Sequence, residues 1–402
     1  MAGIVSTTLS MVKDKLKRVK KDMVVFTSFN GHYSDSPKYI SEKIHELCPE
    51  LELAWLVDEK FKALVPPYAR AIDINSSEAK EYRVRARAIV DNVYGEHEYA
   101  QTTKGAFPAL RRKMFSWLRK KSSQRVFTTW HGTPLKRMGR DQIGAEVYGF
   151  SCPNTTMILG NKFTLDIMNH LTFEKLKMEL LGCPRNDLLF IDDEQKKQIK
   201  ERLGLPLDKK IILFAPTFRT NGSDILDKNI ERSGLGQINQ INFDCLFDTL
   251  SKKFGGDFAF VGRFHYHVER AIDFDALGKK YPNKFINGNL HDDMAEYLSA
   301  CDVLLTDASS CMFDFALTKS PCFLFFPDLE FYKNSERGFY REIEELPFPC
   351  STTFEGLCES ILAFDKSVYE NKIDALLRDF GFVDDKDSSK RVAEYIISWC
   401  KK

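Results

Sequence analysis

Short apolar runs recur along the 402 residues, each followed by polar residues and then a helical pattern. They fall at 23–26, 53–57, 88–90, 125–129, 156–159, 211–215, 258–261, 303–306 and 322–326. Runs this short, alternating with helices, predict an α/β fold whose parallel strands are covered by helices on both faces. Residues 192–204 read as a charged helix stopped at Gly204, with Pro206 just beyond. A new strand starts directly afterwards, so a domain boundary is expected near 185–208. The expectation is two Rossmann-like doubly wound domains, 1–190 and 191–402, facing a central cleft where ligands of such sheets bind. The last helix is a candidate to pack back on the N-terminal domain.

Composition narrows the class. The length exceeds what one hydrophobic core usually organises, and 43% hydrophobic with 29% charged residues excludes disorder and a polytopic membrane protein. With 58 Lys+Arg against 57 Asp+Glu, the net charge is +1. No overall field then favours nucleic acid. The apolar stretch 321–327 is far shorter than the ~20 residues needed to span a bilayer. The N-terminal basic cluster is not followed by an apolar signal region, so a cytoplasmic protein is expected. The ten cysteines contain no C-x-x-C pair and no nearby ligand set. They read as reduced core residues, and no metal site is expected.

Two stretches break the charge balance, 13–21 and 111–121. In the second, Met114, Phe115, Trp117 and Leu118 interleave with Arg and Lys. Such a helix can lie on an anionic membrane surface; the alternative is a solvated loop.

Candidate chemistry gathers at strand ends. Thr128-Thr-Trp-His-Gly-Thr-Pro-Leu-Lys136 places His131 at a strand mouth and Gly132 where backbone can approach a ligand. Thr133 suits an N-cap and Pro134 a first helical position, so Lys136 is expected in the first turn of a helix that could bind an anion. The competing reading is a structural histidine in a tight turn. A second strand-to-helix junction carries Asp307, Ser309, Ser310 and Asp314. Two further strands end in Arg219 and in Arg263, His265 and His267, the last three expected on one side of an extended segment. Four strand ends with phosphate-suited groups point to a nucleotide or diphosphate cleft. Walker, G-x-G-x-x-G, G-x-S-x-G and H-E-x-x-H motifs are absent, which disfavours the corresponding NTPases and hydrolases; Asp-x-Asp occurs only at Asp273-Phe-Asp275 and Asp385-Lys-Asp387, away from the four candidate strand ends. No cofactor is required by the sequence, and Mg2+ stays open.

At this point the residues resemble a known family, the CDP-glycerol glycerophosphotransferases of teichoic acid synthesis, which have a two-domain GT-B fold. The matching stretches begin with Phe26-Thr-Ser-Phe-Asn-Gly-His-Tyr-Ser-Asp-Ser-Pro37, Trp130-His-Gly-Thr-Pro-Leu-Lys136, Gly182-Cys-Pro-Arg-Asn-Asp187 and Phe214-Ala-Pro-Thr-Phe-Arg219. They continue through Gly262-Arg-Phe-His265, Leu305-Thr-Asp-Ala-Ser-Ser-Cys-Met-Phe-Asp314, residues 337–340 and residues 384–391. The resemblance implies that an acceptor hydroxyl attacks the β-phosphorus of CDP-glycerol or CDP-ribitol and CMP leaves. It implies His131 as general base and His265 and Asp307 as further catalytic groups. Gly132, Thr133, Lys136, Arg219, Arg263, Ser309, Ser310 and Asp314 would hold the donor, the last five from the 191–402 half that binds the CDP-polyol, and Asn30 and Gly31 would hold the acceptor in the 1–190 half. The implied acceptor is lipid-linked or an oligosaccharide, at the inner face of the bacterial membrane, in teichoic acid or capsule-type synthesis. Ala308 and Cys311 depart from an expected Tyr and Val, and Cys183 from a Tyr. A GT-B glycosyltransferase using a nucleotide sugar is the alternative.

Overall fold

A computed structural model describes residues 14, 16–93, 123–142, 154–172, 176–219, 231–335 and 338–402. The chain divides into two compact units, 1–131 with 145–187 and 382–402, and 132–144 with 188–381.

The first unit is built on a parallel sheet ordered β3-β2-β1-β4-β5-β6-β7. Its strands are β1 (Met23–Phe26), β2 (Glu52–Val57), β3 (Ala69–Asp73), β4 (Ala88–Asp91), β5 (Arg125–Thr128), β6 (Thr155–Leu159) and β7 (Lys177–Leu180). Alternation along each strand sends side chains to two faces. On one face Val24, Phe26 and Trp55 pack on Ile40 and Ile44 of α1 (Asp35–Leu47) and on Val392, Ala393 and Ile396 of the C-terminal helix, Ser388–Cys400. On the other, Met23, Val25, Ala54 and Leu56 meet Ala79 of α2 (Ser77–Arg85).

Two carboxylates tie that C-terminal helix in place. Asp187 accepts from the backbone N–H groups of Ser388 and Ser389, each at 2.9 Å, and from the Ser389 hydroxyl, which caps the helix start. Burial nonetheless pushes the Asp187 pKa up, against the lowering by those hydrogen bonds. Asp384 accepts from Cys183 N at 2.8 Å and from the Asn186 side chain at 3.0 Å. Gly182, at φ 92°, leaves no room for a side chain, since a Cβ there would stand 2.2 Å from the Ser388 hydroxyl. The stretches 182–187 and 384–391, which carried part of the family resemblance, therefore form a brace.

The second unit has a parallel sheet ordered β10-β9-β8-β11-β12-β13. These are β8 (Lys210–Ala215), β9 (Phe258–Gly262), β10 (Phe285–Asn287), β11 (Val303–Thr306), β12 (Cys322–Phe325) and β13 (Cys350–Ser351). Helix Asp193–Arg202 opens it with a reciprocal Asp192/Gln195 capping box, which explains why its start was legible. The aromatic rings of Phe243, Phe260 and Phe285 pack edge and face at 5.0–5.3 Å between centroids.

Four strands had no clear apolar signature: β3, β7, β10 and β13. All four are sheet edges. An edge strand is only partly covered, so residues such as Arg70, Lys177 and Asn287 are allowed there and the continuous apolar run disappears.

The helix expected from Thr133 does not form. Lys136 instead bridges to Phe339, with Arg137 N donating to Gly338 O and Tyr340 N to Leu135 O. Backbone pairing with 338–340 outweighs the local cap signals, and the anion-binding helix start around Lys136 is lost with it. Among the described residues no helix is long and apolar enough to cross a membrane. The basic-aromatic segment 111–121 and Cys152 lie outside the described residues. In the first basic stretch, Lys17 and Lys20 pair with Glu81 and Glu52 at 2.6 and 2.9 Å. Cys48, Cys301, Cys311, Cys322 and Cys400 are buried thiols, whereas Cys245 is exposed.

Candidate active site

In each sheet the strand order reverses direction once between neighbouring central strands, at β1/β4 and at β8/β11. Beyond the carboxyl ends of such a pair is where doubly wound sheets bind ligands.

In the first unit, β1 runs into a turn closed by a Ser28–His32 bridge, with Gly31 N and His32 N donating to Ser28 O. Phe29 and Asn30 hold φ of 39° and 64°, and Gly31 reaches 124°. Gly31 is needed for that angle and because a Cβ would come within 3.0 Å of Asp58. Asn30 is exposed at the tip. His131 follows β5 behind Trp130, which has φ 54°. Its ring is exposed, packs 4.1 Å from the Trp130 ring, and faces Phe29 at 6.1 Å. Its Nδ1 lies 3.1 Å from the carbonyl oxygen of Asn92. A carbonyl only accepts, so Nδ1 carries a proton in this contact, and in the neutral ring Nε2 then holds the lone pair. That tautomer suits a general base.

In the second unit, Arg219 is fully buried between the rings of Phe326 and Tyr332, at 5.2 and 4.9 Å. It donates to both oxygens of Asp328 at 2.8 Å, to Asp307 at 2.9 Å and to Thr217 O at 2.7 Å. Burial alone would lower its pKa; Asp307 and Asp328 outweigh it and hold the value above the ordinary one. Asp307, also fully buried, further accepts from Thr217 N, Ala308 N and the Gln237 amide. Arg263 donates to the carbonyl oxygens of Gly288, His291 and Asp292, and burial lowers its pKa. His265 caps the short helix Tyr266–Glu269 and stacks on Phe218, with ring centroids 4.5 Å apart and 18° between planes. Ser309 and Ser310 are half-buried before the helix Cys311–Ala316, and Ser310 makes no side-chain cap bond. Asp314 is buried within that helix. Gly132 has φ 147° and Thr133 is buried. Among the described residues no cluster of three or more His, Cys, Asp or Glu is placed to hold a metal ion.

Residues 9–398 match the family described as CDP-Glycerol:Poly(glycerophosphate) glycerophosphotransferase. The chain belongs to that family. It is 31% identical over 403 residues to a teichoic acid poly(glycerol phosphate) polymerase of Staphylococcus epidermidis, covering 95% of this chain and 51% of the relative. It therefore spans about half the length of that protein. The solved wall teichoic acid polymerase TagF superposes with a TM-score of 0.75 at 28% identity, over 98% of this chain and 93% of that one. A Methanocaldococcus jannaschii UDP-GlcNAc 2-epimerase shares the fold at a TM-score of 0.51 and 12% identity, covering 94% and 99%.

Several site candidates of this glycerophosphotransferase-family chain have protein partners in the structure. Arg219 and Arg263, expected on the diphosphate, have their guanidiniums turned to protein acceptors: one braces two carboxylates, the other a loop. Asp307, expected to be catalytic, is a buried anchor for Arg219 and for the 217–219 turn. The extended segment ends at the helix that starts at Tyr266; the His265 and His267 rings stay 5.3 Å apart, while the Arg263 guanidinium turns to the carbonyls of Gly288, His291 and Asp292. Three residues escaped the sequence reading: Asn92, Asp328 and Gln237. Asn92 becomes visible only once β4 is known to lie beside β1. Asp328 follows β12 by three residues, and a carboxylate so close to a strand end was the available signal.

Proposed function

We propose that this chain transfers a polyol phosphate, glycerol phosphate first, from its CDP-linked donor to an acceptor hydroxyl, in teichoic acid or capsule-type polymer synthesis. The acceptor oxygen attacks the β-phosphorus, the bond to the CMP oxygen breaks, CMP leaves, and the acceptor proton passes to His131 Nε2. The observation that carries this reading is His131 itself, held by Asn92 O in the tautomer a base needs, in a chain of this family. Phosphoryl transfer asks the protein mainly to position groups and stabilise charge. In the second unit His265 and the hydroxyls of Ser309 and Ser310 are the groups assigned to the donor oxygens, with Asp314 behind them. The acceptor is lipid-linked or an oligosaccharide, and segment 111–121 is assigned to an anionic membrane surface at the inner face of the cell membrane. Liposome co-sedimentation at low salt tests that contact, and no binding removes it.

The deciding experiment is a donor panel of CDP-glycerol, CDP-ribitol and UDP- and GDP-sugars, scored by nucleotide release. CMP release from a CDP-polyol is expected, and UDP release alone would replace the reading with a sugar transferase. Adding EDTA or Mg2+ to the same assay reads metal dependence. His131→Ala should lower CMP release about 10²–10⁴-fold with donor binding kept.

A further inference from the structure

Among the buried polar atoms near the β1/β4 switch point without a hydrogen-bond partner, beside the Thr27 hydroxyl, are the hydroxyls of Ser28 and Ser34, and Nδ2 of Asn92. Ser28 and Asn92 are 0% exposed and Ser34 2%. Each such group costs about 1–3 kcal/mol when left unmatched, so three in one neighbourhood call for a reason.

They are neighbours by construction. Phe26 pairs with Val90 across β1 and β4, so Ser28 and Asn92 each stand two residues beyond that pair, on the face covered by α1. Asn92 Oδ1 accepts from Phe29 N at 2.9 Å, which fixes the amide and leaves Nδ2 as its unmatched donor. The Ser28–His32 bridge folds the chain back, and two residues later Ser34 is the N-cap of α1. Its hydroxyl makes no cap bond, although that is what an N-cap serine ordinarily does. The carbonyl of the same Asn92 orients His131.

We propose that Ser28, Ser34 and Asn92 form the subsite for the terminal polyol of the acceptor, and so set its hydroxyl before His131. This rests on the transfer reaction proposed above and gives its acceptor end a chemical class. Two hydroxyls that donate and accept, beside an amide that donates, complement neighbouring hydroxyls on a carbon chain. A phosphate is the wrong occupant. Asp35 opens α1 with its carboxylate at the helix start, and Arg185, the cation packed there, is already matched to it at 3.0 and 3.2 Å. Asp35 itself holds φ 60°, and its carboxylate accepts from Ser36 N, the role an incoming anion would need.

The test compares wild type with Ser28→Ala, Ser34→Ala and the pair. Each single change should raise the KM for a short oligo(glycerol phosphate) acceptor about fivefold, and the pair more, with donor KM unchanged. Thermal midpoints should stay level or rise, since removing an unmatched buried hydroxyl removes a cost; a purely structural hydroxyl would lower them. Independently of turnover, saturation-transfer NMR with free glycerol should show contact in wild type and lose it in the pair. Turnover with acceptor KM and glycerol contact unchanged by the pair overturns the inference. So does inorganic phosphate competing with acceptor in wild type but not in Ser34→Ala, which would make this an anion site. Absence of CMP release from every donor, with glycerol contact still lost in the pair, would overturn the transfer reading while leaving the polyol pocket standing.

Discussion

At the first switch point, buried hydroxyls stand without partners, and Phe29, Asn30, Asp35 and Trp130 all hold positive φ. At the second, Arg219, Arg263 and Asp307 are tied to other protein groups and the surrounding turns are braced by them, although the Thr217 hydroxyl and Gln237 Oε1 are unmatched there too. The difference follows from what burial costs. A buried charge must be matched within the fold, because leaving it alone is worth several kcal/mol. A buried hydroxyl costs much less and can wait for a ligand. Arg219, Arg263 and Asp307, expected as site groups, are each tied into the fold by protein partners, whereas the Ser28 and Ser34 hydroxyls are buried and unmatched. Backbone strain collected at the first switch point belongs to the same account, since strained residues persist where surrounding structure holds a site ready.

The strongest challenge to this contrast is removal of a brace. Arg219→Ala leaves Asp307 and Asp328 facing each other's charge and should cost about 3–5 kcal/mol in urea unfolding. If stability holds and only donor KM rises, Arg219 is a ligand group after all. Asp187→Ala tests the brace of the first unit and should cost about 1–2 kcal/mol, since it strips a cap from the C-terminal helix. Arg263→Lys should lower kcat/KM about tenfold, because one ammonium cannot replace a fork that holds three carbonyls. A smaller effect is expected with pH. Burial first, and then His267, hold the His265 pKa below its ordinary value, so the free protein has it neutral at pH 7. A donor phosphate beside it favours the cation and raises that pKa, so binding takes up a proton. Donor affinity should therefore fall as pH rises from mildly acidic to neutral, read as donor KM across that range; a flat profile removes His265 from the donor. Smallest of all, Ser310→Ala should raise donor KM about fivefold.

What could be read from the chain follows the same physics. Interior strands such as β8, Lys-Ile-Ile-Leu-Phe-Ala, are covered on both faces and announce themselves. The capping box at Asp192 and Gln195 does so too, because its signal is local. Edge strands were hidden by their half-exposure. The turn after His131 was misread because its partner, Phe339, is two hundred residues away in sequence and no local rule contains it. His131 was legible from its place after a strand, whereas Asn92, which orients it, is an ordinary asparagine until β4 is set beside β1.

The brace at Asp187 and Asp384 has a consequence for synthesis. Residues 188–381 build the second unit and are translated before helix Ser388–Cys400 emerges, yet Val392 and Ile396 belong to the core around Phe26 and Trp55. On the ribosome, the amino-terminal half must wait, with one face of its sheet covered by α1 but not yet by helix Ser388–Cys400, while the later half folds ahead of it. A nascent chain stalled before residue 388 would hold a finished second unit attached to a first one whose apolar face still lacks Val392 and Ile396, which makes emergence of that helix the step that closes the first core.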